Sequence, residues 1–383
     1  MKVCDCVKNS IWYDPRVRKQ IAEYTRNGIE VVGVGCICPR FSLEEVAKIE
    51  CPVFLAEISQ DLYKPGLSVF KKAYREIKSN YLMYKLIKQC KADIIHANDL
   101  NALIPAYLAA KKTKSKLVYD SHEIFIENPW VARVKWLHNL LYHLEKFLIK
   151  RTDLLVNVSH AAGNYMSDIY SIKDRIVVTN CISETTLAQI DMHEKHQGFE
   201  VLNHGQFYVG RGYDIMVNTS PLLRKLPDVK LVLRGFGSME KALKETVEKN
   251  GYTNVVFAPP VKMLELISYA SSSHVGIALT QPICLNYELT ISNKIFEYAA
   301  AGLPVIMSNI PEHRYLNEKY HFGIILEHDT PECLAVAIQT LYNDKLLYSE
   351  MAMNARKLSS EVTWELEFKK LLDKEYSIVS YNG

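Results

Sequence analysis

The sequence predicts an α/β protein built from two doubly wound, Rossmann-like domains that face each other across a cleft. First, 383 residues are too many for one ordinary hydrophobic core. Second, short apolar segments alternate with amphipathic helical segments, as they do in parallel sheets covered by helices on both faces. Third, the alternation stops over the polar residues 181–198 and then begins again. We expect domains at 1–185 and 198–360, and a carboxyl-terminal helix at 361–383 that packs back toward the first domain.

The first domain opens with the strand Lys2–Val7, and Asp14 and Pro15 are typical of the cap and the first position of a helix. No Gly-x-Gly-x-x-Gly pattern joins the strand to this helix, so a nicotinamide or flavin site is not predicted. Further strands are predicted at 29–35, 53–58, 93–97, 116–120, 154–158 and 176–179, and helices at 16–27, 67–89, 102–111, 131–150 and 161–170.

The second domain is organised around residues 286–308, where apolar residues recur at helical spacing and Gly302 with Pro304 provides a stop. Ser292 or Asn293 is the predicted N-cap of this helix. Strands are predicted at 200–205, 229–234, 255–257, 275–279 and 305–307, and the other helices at 213–225, 239–250, 263–270 and from Pro331 onward.

Composition favours a soluble globular protein, because 48% of the residues are apolar, 23% are charged and no apolar run reaches the roughly 20 residues that span a bilayer. The start of the chain does not resemble a signal peptide, so a cytoplasmic location is predicted. The net charge of +3 is unevenly spread. Residues 1–180 contain 27 Lys and Arg against 19 Asp and Glu, a balance of +8, and the remainder has 19 against 24, a balance of −5.

Residues 63–91 carry much of the excess positive charge. Their basic side chains alternate with aromatic and aliphatic ones, a pattern that suits the cytoplasmic surface of an anionic membrane. A solvated helix packed by its aromatic side is the alternative. Nucleic acid is not predicted as a partner, because the overall charge is modest. The basic residues are Lys64, Lys71, Lys72, Arg75, Lys78, Lys85, Lys88 and Lys91.

Two strands of the second domain end in glycine-rich turns that carry an arginine. Glycines let the backbone approach a ligand closely, and an arginine at a helix start can bind a diphosphate through two hydrogen bonds. Each turn alone is explained as readily by a tight strand-to-helix connection. The residues are Gly205, Gln206, Gly210, Arg211 and Gly212 in the first turn, and Arg234, Gly235 and Gly237 in the second.

Lys294 and Glu297 lie three residues apart at the start of the central helix and therefore share one face. The start of a helix is a natural seat for phosphate, and Glu297 can accept two hydrogen bonds from a diol such as ribose. A surface Lys–Glu pair is the alternative. The residues that lead into this helix start are Glu288, Leu289, Thr290, Ile291, Ser292 and Asn293.

Polar residues also end two strands of the first domain. His96 and Asp99 lie at or just after the carboxyl end of one strand, and Asp120, His122 and Glu123 lie at or just after that of the next. His122 can position a substrate hydroxyl or accept a proton, with Asp120 or Glu123 orienting it, and a histidine that caps the strand end is the alternative. No metal ion or cofactor is predicted, because the spacing of these residues matches no ligand motif.

As a set, these motifs resemble the retaining glycosyltransferases of family 4, the glycogen-synthase-like group with the GT-B fold. The opening DPRV…IAEYTRNGIEVV is similar to the family's first βα unit, and DIIHANDL and LVYDSHE are similar to the strand ends of its acceptor domain. VVTN is similar to the strand before its linker. SNKIFEYAAAGLPVI is close to the family's most specific signature, and the resemblance covers most of the chain.

The resemblance implies roles for particular residues. Glu297 matches the second glutamate of the family's E-x7-E element and is expected to bind the donor ribose. Arg211 matches the basic residue that holds the diphosphate, and His122 matches the histidine that contacts the transferred sugar. Arg16 is placed on the acceptor side with the strand-end residues of the first domain.

Two positions depart from the family's pattern. Leu289 stands where the first glutamate of the element is expected, with Glu288 beside it, and Gln206 stands where an arginine is expected. We expect Lys294 to supply the missing positive charge. The catalytic set implied in this way is His122, Arg211 and Lys294.

The implied reaction moves a sugar from a nucleotide diphosphate sugar, with a UDP-sugar favoured, to a hydroxyl of a glycan or lipid-linked acceptor in cell-surface polysaccharide synthesis. The configuration at the anomeric carbon is retained and no metal ion is required. A non-catalytic GT-B-like protein that binds nucleotide sugars is an alternative, favoured by Leu289 and Gln206. A nucleotide-sugar epimerase is a third reading.

Overall fold

A computed structural model describes residues 1–37, 46, 48–57 and 68–380, and it divides the chain into two compact units. The first unit contains Met1–Thr179 together with Glu365–Gly383, and the second contains Asn180–Trp364. The chain therefore leaves the first unit at Thr179 and returns to it with its last helix.

The first unit is built on a parallel sheet whose seven strands lie in the order β3-β2-β1-β4-β5-β6-β7. The order reverses between β1 and β4, and the carboxyl ends of strands at such a switch point are where doubly wound sheets bind ligands. The strands are β1 (Lys2–Val7), β2 (Glu30–Cys36), β3 (Val53–Ala56), β4 (Ile94–Asn98), β5 (Lys116–Ser121), β6 (Leu154–Asn157) and β7 (Arg175–Val177).

The helices of the first unit follow the strands in sequence. At the first of them, the Asp14 carboxylate accepts hydrogen bonds of 3.1 Å from the backbone N–H groups of Arg16 and Val17, and Pro15 occupies the first turn, as predicted. The α-helices are Pro15–Arg26, Val69–Gln89, Asp99–Thr113, Pro129–Ala132, Lys135–Ile149, His160–Tyr170 and Trp364–Ser380, and Phe125–Glu127 is a 3₁₀ turn.

The second unit has a parallel sheet of six strands in the order β10-β9-β8-β11-β12-β13, with its switch point between β8 and β11. The strands are β8 (Phe199–Gln206), β9 (Val229–Phe236), β10 (Val255–Ala258), β11 (Val275–Ala278), β12 (Val305–Met307) and β13 (Gly323–Ile325). The α-helices are Glu184–Ala188, Tyr213–Thr219, Glu240–Asn250, Leu266–Ser271, Leu285–Leu289, Asn293–Ala300, Pro311–Tyr320, Pro331–Asn343 and Lys345–Glu361, and Ser220–Leu223 and Met263–Glu265 are 3₁₀ turns.

The central segment of the second unit contains two helices rather than one. Leu285–Leu289 is followed by three extended residues, and Asn293–Ala300 then begins with Ser292 as its N-cap. Tyr298 of the second helix lies against Gly276 in β11, where an added Cβ would stand 2.3 Å from the aromatic ring. Glycine in β11 therefore lets this helix lie close to the sheet, and that closeness brings its first turn to the end of β8.

Several predicted boundaries differ from the structure. The helix predicted at 213–225 ends at Thr219, because Pro221 removes a backbone donor and the chain continues as a 3₁₀ turn. The helix predicted at 131–150 is two helices, and the polar stretch 181–198 contains the short helix Glu184–Ala188. The helix Pro311–Tyr320 and strand β13 were not predicted, since a three-residue strand carries too little pattern.

Parts of three predictions lie outside the described residues. They are the end of the strand predicted at 53–58, the first residue of the helix predicted at 67–89, and the start of the basic segment, including Tyr63 and Lys64. In the described part of the chain, no helix combines the length and the apolar character needed to cross a membrane.

Candidate functional site

A polar cluster in the second unit joins the start of the helix Asn293–Ala300 to the carboxyl end of β8. Lys294 donates to the amide oxygen of Asn203, with 2.7 Å between Nζ and Oδ1, and Glu297 Oε2 lies 2.7 Å from His204 Nε2. The two side chains share a face of the helix, as their spacing predicts. They reach neighbouring residues of one strand, although more than 90 positions separate the partners in sequence.

Lys294 is the electrostatically unusual member of this cluster. Burial, and then the nearby Arg211 guanidinium, lower its pKa to about 7, although the charge of Glu297 acts in the opposite direction. The ammonium group lies 4.8 Å from the ring centre of Tyr213. An anion bound here would favour the charged form of the amine, so this lysine is suited to hold a phosphate group.

Arg211 is tied to the same cluster through its backbone. Its carbonyl oxygen accepts a hydrogen bond of 3.4 Å from Asn203 Nδ2, and its guanidinium lies over the ring of Tyr287 at 4.5 Å. Asn203 therefore links Arg211 and Lys294, with one side of its amide toward each. The two cations of the predicted catalytic set lie in one cluster of the second unit.

The glycines of the two turns have a packing role in the structure. Gly235 has a φ of +148°, and a Cβ there would stand 1.8 Å from the Gly205 carbonyl oxygen. A Cβ on Gly212 would stand 2.5 Å from Leu279 Cβ, and its φ of +72° is in the left-handed region. Gly205, Gly210 and Gly237 also have positive φ angles in these turns. Close packing thus requires glycine here with or without a ligand.

The remaining predicted donor residues lie around the cluster in different ways. Gln206 is exposed at the end of β8, and Arg234 donates to the Pro259 carbonyl oxygen at 3.1 Å and lies 5.0 Å from the Tyr269 ring centre. The hydroxyl of Ser292 makes no capping hydrogen bond. Glu288 and Leu289 end the preceding short helix, Thr290 and Ile291 connect it to Ser292, and Asn293 accepts from Asn180 Nδ2 at 3.4 Å.

A second polar cluster lies in the first unit around Asp120. Arg16 binds both carboxylate oxygens, with Nε 2.8 Å from Oδ2 and Nη2 3.0 Å from Oδ1, and Gln20 donates to Oδ2 at 2.6 Å. His96 Nε2 lies 3.4 Å from the same oxygen. Arg16, His96 and Asp120 are all buried. If they serve an acceptor, as the sequence predicts, they do so from beneath the surface.

The charges of this cluster stabilise one another. Burial by itself would raise the pKa of Asp120, but Arg16, then His122 and the hydrogen bond from His96 outweigh it and hold that pKa well below its usual range. Burial likewise would lower the pKa of His96, but the hydrogen bonds to Asp120 and Glu375 and the charge of Asp5 raise it to about 10. Asp120 is therefore ionised and His96 carries a positive charge at neutral pH.

His122 follows β5 and is partly exposed above this cluster. Its Nε2 lies 3.0 Å from the Asn98 amide oxygen, and Asn98 in turn donates to Asp5 Oδ1 at 2.6 Å. This chain fixes the orientation of the Asn98 amide, so Nε2 of His122 carries the proton. Nδ1 lies 3.6 Å from Asp99 Oδ2, and Asp99 also accepts the backbone N–H of His122 at 3.0 Å.

Of the two residues expected to orient His122, Asp120 lies near its ring, and the carboxylate of Glu123 is bonded to another residue. Asp120 Oδ2 lies 3.7 Å from Nε2 of His122, whereas the Glu123 carboxylate accepts a hydrogen bond of 2.8 Å from Asn128. Asp99 has a φ of +65°, in the left-handed region that non-glycine residues seldom adopt, although aspartate adopts it more readily than most. Burial raises the pKa of Asp99 to about 6.

Sequence reasoning missed the residues that hold the predicted ones in place. They are Asn203 and His204 in the second unit, and Asp5, Gln20, Asn98 and Glu375 in the first. Asn98, Asn203 and His204 stand at or near the carboxyl ends of their strands, which is a usable signal. Glu375 has no such signal, because it lies in the middle of an ordinary amphipathic helix.

Two family models match the chain. The one described as Glycosyltransferase Family 4 matches residues 16–182, and the one described as Glycosyl transferases group 1 matches residues 198–344. A glycosyltransferase from Rickettsia africae ESF-5 has a TM-score of 0.76 at 15% identity, covering 99% of this chain and 98% of that one. These matches define the class: two Rossmann-like domains of the GT-B fold, as the sequence predicts.

Further similar proteins support the same class. Anabaena HepE, solved in complex with UDP and glucose, has a TM-score of 0.73 at 15% identity over 98% of this chain and 100% of its own. EpsD of Bacillus subtilis strain 168, a glycosyltransferase by name, is 23% identical over 309 residues, 74% of each chain. The chain is a glycosyltransferase of the GT-B fold, with its first part in the family 4 model and its second part in the group 1 model, and is therefore a transferase of sugar groups.

The pair between Arg16 and Asp120 gives a test of the first cluster. Arg16→Met leaves a buried carboxylate without its bidentate cation, and we expect the free energy of unfolding to fall by about 3–5 kcal/mol. Urea denaturation followed by circular dichroism measures this. The control is Lys369→Met, which breaks an exposed pair with Asp373 and is expected to cost less than about 1 kcal/mol. Equal losses in the two variants would contradict the assigned role of the buried pair.

Proposed function

We propose that this chain is a retaining glycosyltransferase that moves a sugar from a UDP-sugar to a hydroxyl of a glycan or lipid-linked acceptor in cell-surface polysaccharide synthesis. The observation that carries the donor part is the cluster of Lys294, Arg211 and Glu297 at the end of β8. It combines two cations with a carboxylate that His204 orients. A nucleotide diphosphate has the matching groups, namely two phosphates and a ribose diol.

The roles of these residues in the proposed reaction follow from their chemistry. Arg211 and Lys294 stabilise the negative charge that develops on the leaving diphosphate. The start of the helix Asn293–Ala300, where the Ser292 hydroxyl makes no capping hydrogen bond, adds N–H donors. Glu297 accepts hydrogen bonds from the ribose hydroxyls. Because two side-chain cations serve the diphosphate, the proposed reaction needs no divalent metal ion.

His122 is the proposed contact of the transferred sugar. Asn98 fixes its tautomer and Asp99 faces its other nitrogen, so the ring is held in one orientation at the carboxyl ends of β4 and β5. A sugar hydroxyl near the reacting carbon can be positioned by such a ring. The choice of UDP is supported by HepE, whose structure has the same fold and holds UDP with glucose.

Donor binding is tested by calorimetric titration with UDP and with GDP, each with and without EDTA. We expect UDP to bind with micromolar affinity that EDTA does not change, and Glu297→Ala to weaken binding at least about tenfold through loss of the ribose contacts. Glu248→Ala, an exposed glutamate of the same unit, is the control and should bind as the wild type does. Preference for GDP, or binding that requires a metal ion, would contradict the proposed donor.

Incubation with UDP-glucose, with and without an added acceptor, separates the proposed transferase from its alternatives. Release of UDP and free sugar, or transfer of the sugar to an added acceptor, supports transferase activity. Binding of UDP-glucose without turnover would indicate the non-catalytic alternative favoured by Leu289 and Gln206. Conversion of the bound sugar to an epimer, followed by NMR, would indicate an epimerase.

The lowered pKa of Lys294 predicts that donor binding is accompanied by proton uptake. Its pKa of about 7 in the free protein is raised by a bound diphosphate, so at pH 8 UDP binding should take up about one proton. UDP affinity is then fully present below the free-state pKa and is lost as the pH rises through the higher pKa of the complex. Calorimetry at pH 8 in two buffers with different ionisation enthalpies measures the uptake.

Lys294→Met should abolish this proton uptake and weaken UDP binding. Lys249→Met, a change of an exposed lysine in the helix Glu240–Asn250, should preserve both. If the wild-type protein takes up no proton on binding UDP at pH 8, Lys294 is not the residue that meets the diphosphate.

We also propose that the helix Val69–Gln89 contacts an anionic membrane. Its aromatic face consists of Phe70, Tyr74, Ile77 and Tyr81, which follow one another at helical spacing and are 88%, 68%, 68% and 58% exposed. An open, mainly apolar groove of about 630 Å³ lies beside it, against the helix Asp99–Thr113. The basic residues near the face and groove are Lys71, Lys72, Arg75, Lys78, Lys85, Lys88, Lys111 and Lys112.

Vesicle co-sedimentation tests the membrane proposal. The protein should bind vesicles that contain phosphatidylglycerol more tightly than pure phosphatidylcholine vesicles, and added salt should weaken the binding. Phe70→Ser with Ile77→Ser should reduce binding at least about tenfold, because both lose apolar contact with the bilayer. Leu346→Ser with Met353→Ser is a matched control, since these residues are 86% and 65% exposed on another helix. Equal effects of the two double variants would contradict the proposed face.

A further inference from the structure

The helix Trp364–Ser380 places a buried carboxylate against the polar cluster around Asp120 in the first unit. Glu375 is fully buried, and its Oε1 accepts a hydrogen bond of 2.7 Å from the Tyr24 hydroxyl. The same oxygen lies 3.3 Å from Nδ1 of His96. Oε2 of Glu375 is buried without a hydrogen-bond partner among the described residues. A carboxylate with one unsatisfied oxygen is costly in a protein core.

From Glu375 a continuous chain of contacts leads to His122. His96 Nε2 lies 3.4 Å from Asp120 Oδ2, and that oxygen lies 3.7 Å from Nε2 of His122. Both ring nitrogens of His96 face carboxylates, so both carry protons. Among these four residues, only His122 reaches the surface, and its side chain is 17% exposed.

The surroundings of His96 show which charges hold its proton. Asp120 and Glu375 contact the two ring nitrogens, and Asp5 of β1 adds a third negative neighbour. The helix Pro15–Arg26 contributes the neutral Gln20 and Tyr24 beside the ring, together with Arg16, whose charge is matched by Asp120. Removing Glu375 takes away one of the two carboxylates that contact the ring, and burial, which favours the neutral form, is then opposed chiefly by Asp120 and Asp5.

Anchoring the helix does not require Glu375. On the same helix, Glu367 accepts the backbone N–H of Thr179 at 3.0 Å. The ring of Phe368 meets Tyr24 edge-on at 4.9 Å between centroids, and Leu371 and Leu372 are buried. These contacts attach the helix by apolar burial and one carboxylate. The hydrogen bond from Tyr24 to Glu375 adds to that attachment, but it leaves Oε2 of Glu375 without a hydrogen-bond partner in the part of the chain that the structure describes.

We propose that Glu375 is a positioning residue for His122, acting through the imidazolium of His96 and the carboxylate of Asp120. Glu375 keeps His96 charged, and charged His96 holds Asp120 Oδ2 in place beneath His122. If His96 loses its positive charge, less positive charge surrounds Asp120. The electric field at the His122 ring and the position of that ring then change. The functional part of this inference rests on the proposed transferase reaction.

The test compares Glu375→Gln with Glu367→Gln, two isosteric changes on one helix. The readouts are histidine ring NMR spectra across pH 6–9, with His96 and His122 assigned through single substitutions, and hydrolysis of UDP-glucose. In the wild-type protein we expect His96 to remain protonated at pH 8. In Glu375→Gln it should be neutral at pH 8, and the ring signals of His122 should move, whereas Glu367→Gln should leave both unchanged.

For hydrolysis, we expect Glu375→Gln to lower kcat at least about tenfold and to leave KM for UDP-glucose within about twofold, because the donor cluster is in the other unit. If His96 of the wild-type protein is neutral at pH 8, the inference is overturned. This measurement uses the wild-type protein alone and does not depend on the folding of a variant. Unchanged His122 signals or kcat in a folded Glu375→Gln protein also overturn it. If wild-type protein neither binds nor hydrolyses UDP-glucose, the proposed function fails, and the NMR comparison still decides whether Glu375 controls His96 and His122.

Discussion

All strands described in the two sheets run parallel to their neighbours, and this constraint determines which residues can meet. In a parallel sheet every carboxyl end lies at the same edge, so side chains far apart in sequence converge there. His204 at the end of β8 meets Glu297 in this way, and Asn98 after β4 meets His122 after β5. The switch points add room at that edge, between β1 and β4 in one sheet and between β8 and β11 in the other.

The two clusters handle charge in opposite ways. In the first unit, Arg16 and His96 are matched by Asp120 and Glu375, and all four are buried, so the ions neutralise one another inside the protein. In the second unit, burial and Arg211 depress the pKa of Lys294, and its hydrogen-bond partners are the neutral Asn203 and Tyr213. The paired ions of the first unit fix the positions of their side chains. Lys294 in the second unit has neutral hydrogen-bond partners and therefore remains suited to bind an anion.

The succession of strands and helices and the main polar positions follow from sequence because they depend on local pattern. The alternation of apolar strands and amphipathic helices predicts both sheets, and the Lys294/Glu297 spacing predicts their shared face. Boundaries are less predictable. Pro221 is a local stop signal that the helix prediction passed over, and the three-residue strand β13 carries too little pattern to be predicted.

The supporting residues could not be assigned to partners from sequence. His204 is an ordinary strand residue until the fold brings Glu297 to it, and Glu375 is one acidic residue of a helix with several. Likewise, the glycines around Arg211 and Arg234 predict close backbone approach, but the structure shows that part of this approach is between Gly205 and Gly235 themselves. Sequence identifies the type of residue, and the partner is set by the three-dimensional fold.

The return of the chain to its first unit has a consequence for biosynthesis. Domains generally fold as units while a chain is being made, beginning with the amino-terminal one. Here the first unit lacks Phe368 and Glu375 until the whole of Asn180–Trp364 has been synthesised, because that segment precedes them in the chain. Until then the Tyr24 ring and His96 have no cover from the last helix. The nascent first unit therefore stays incomplete while the second unit, whose residues are contiguous, can fold ahead of it.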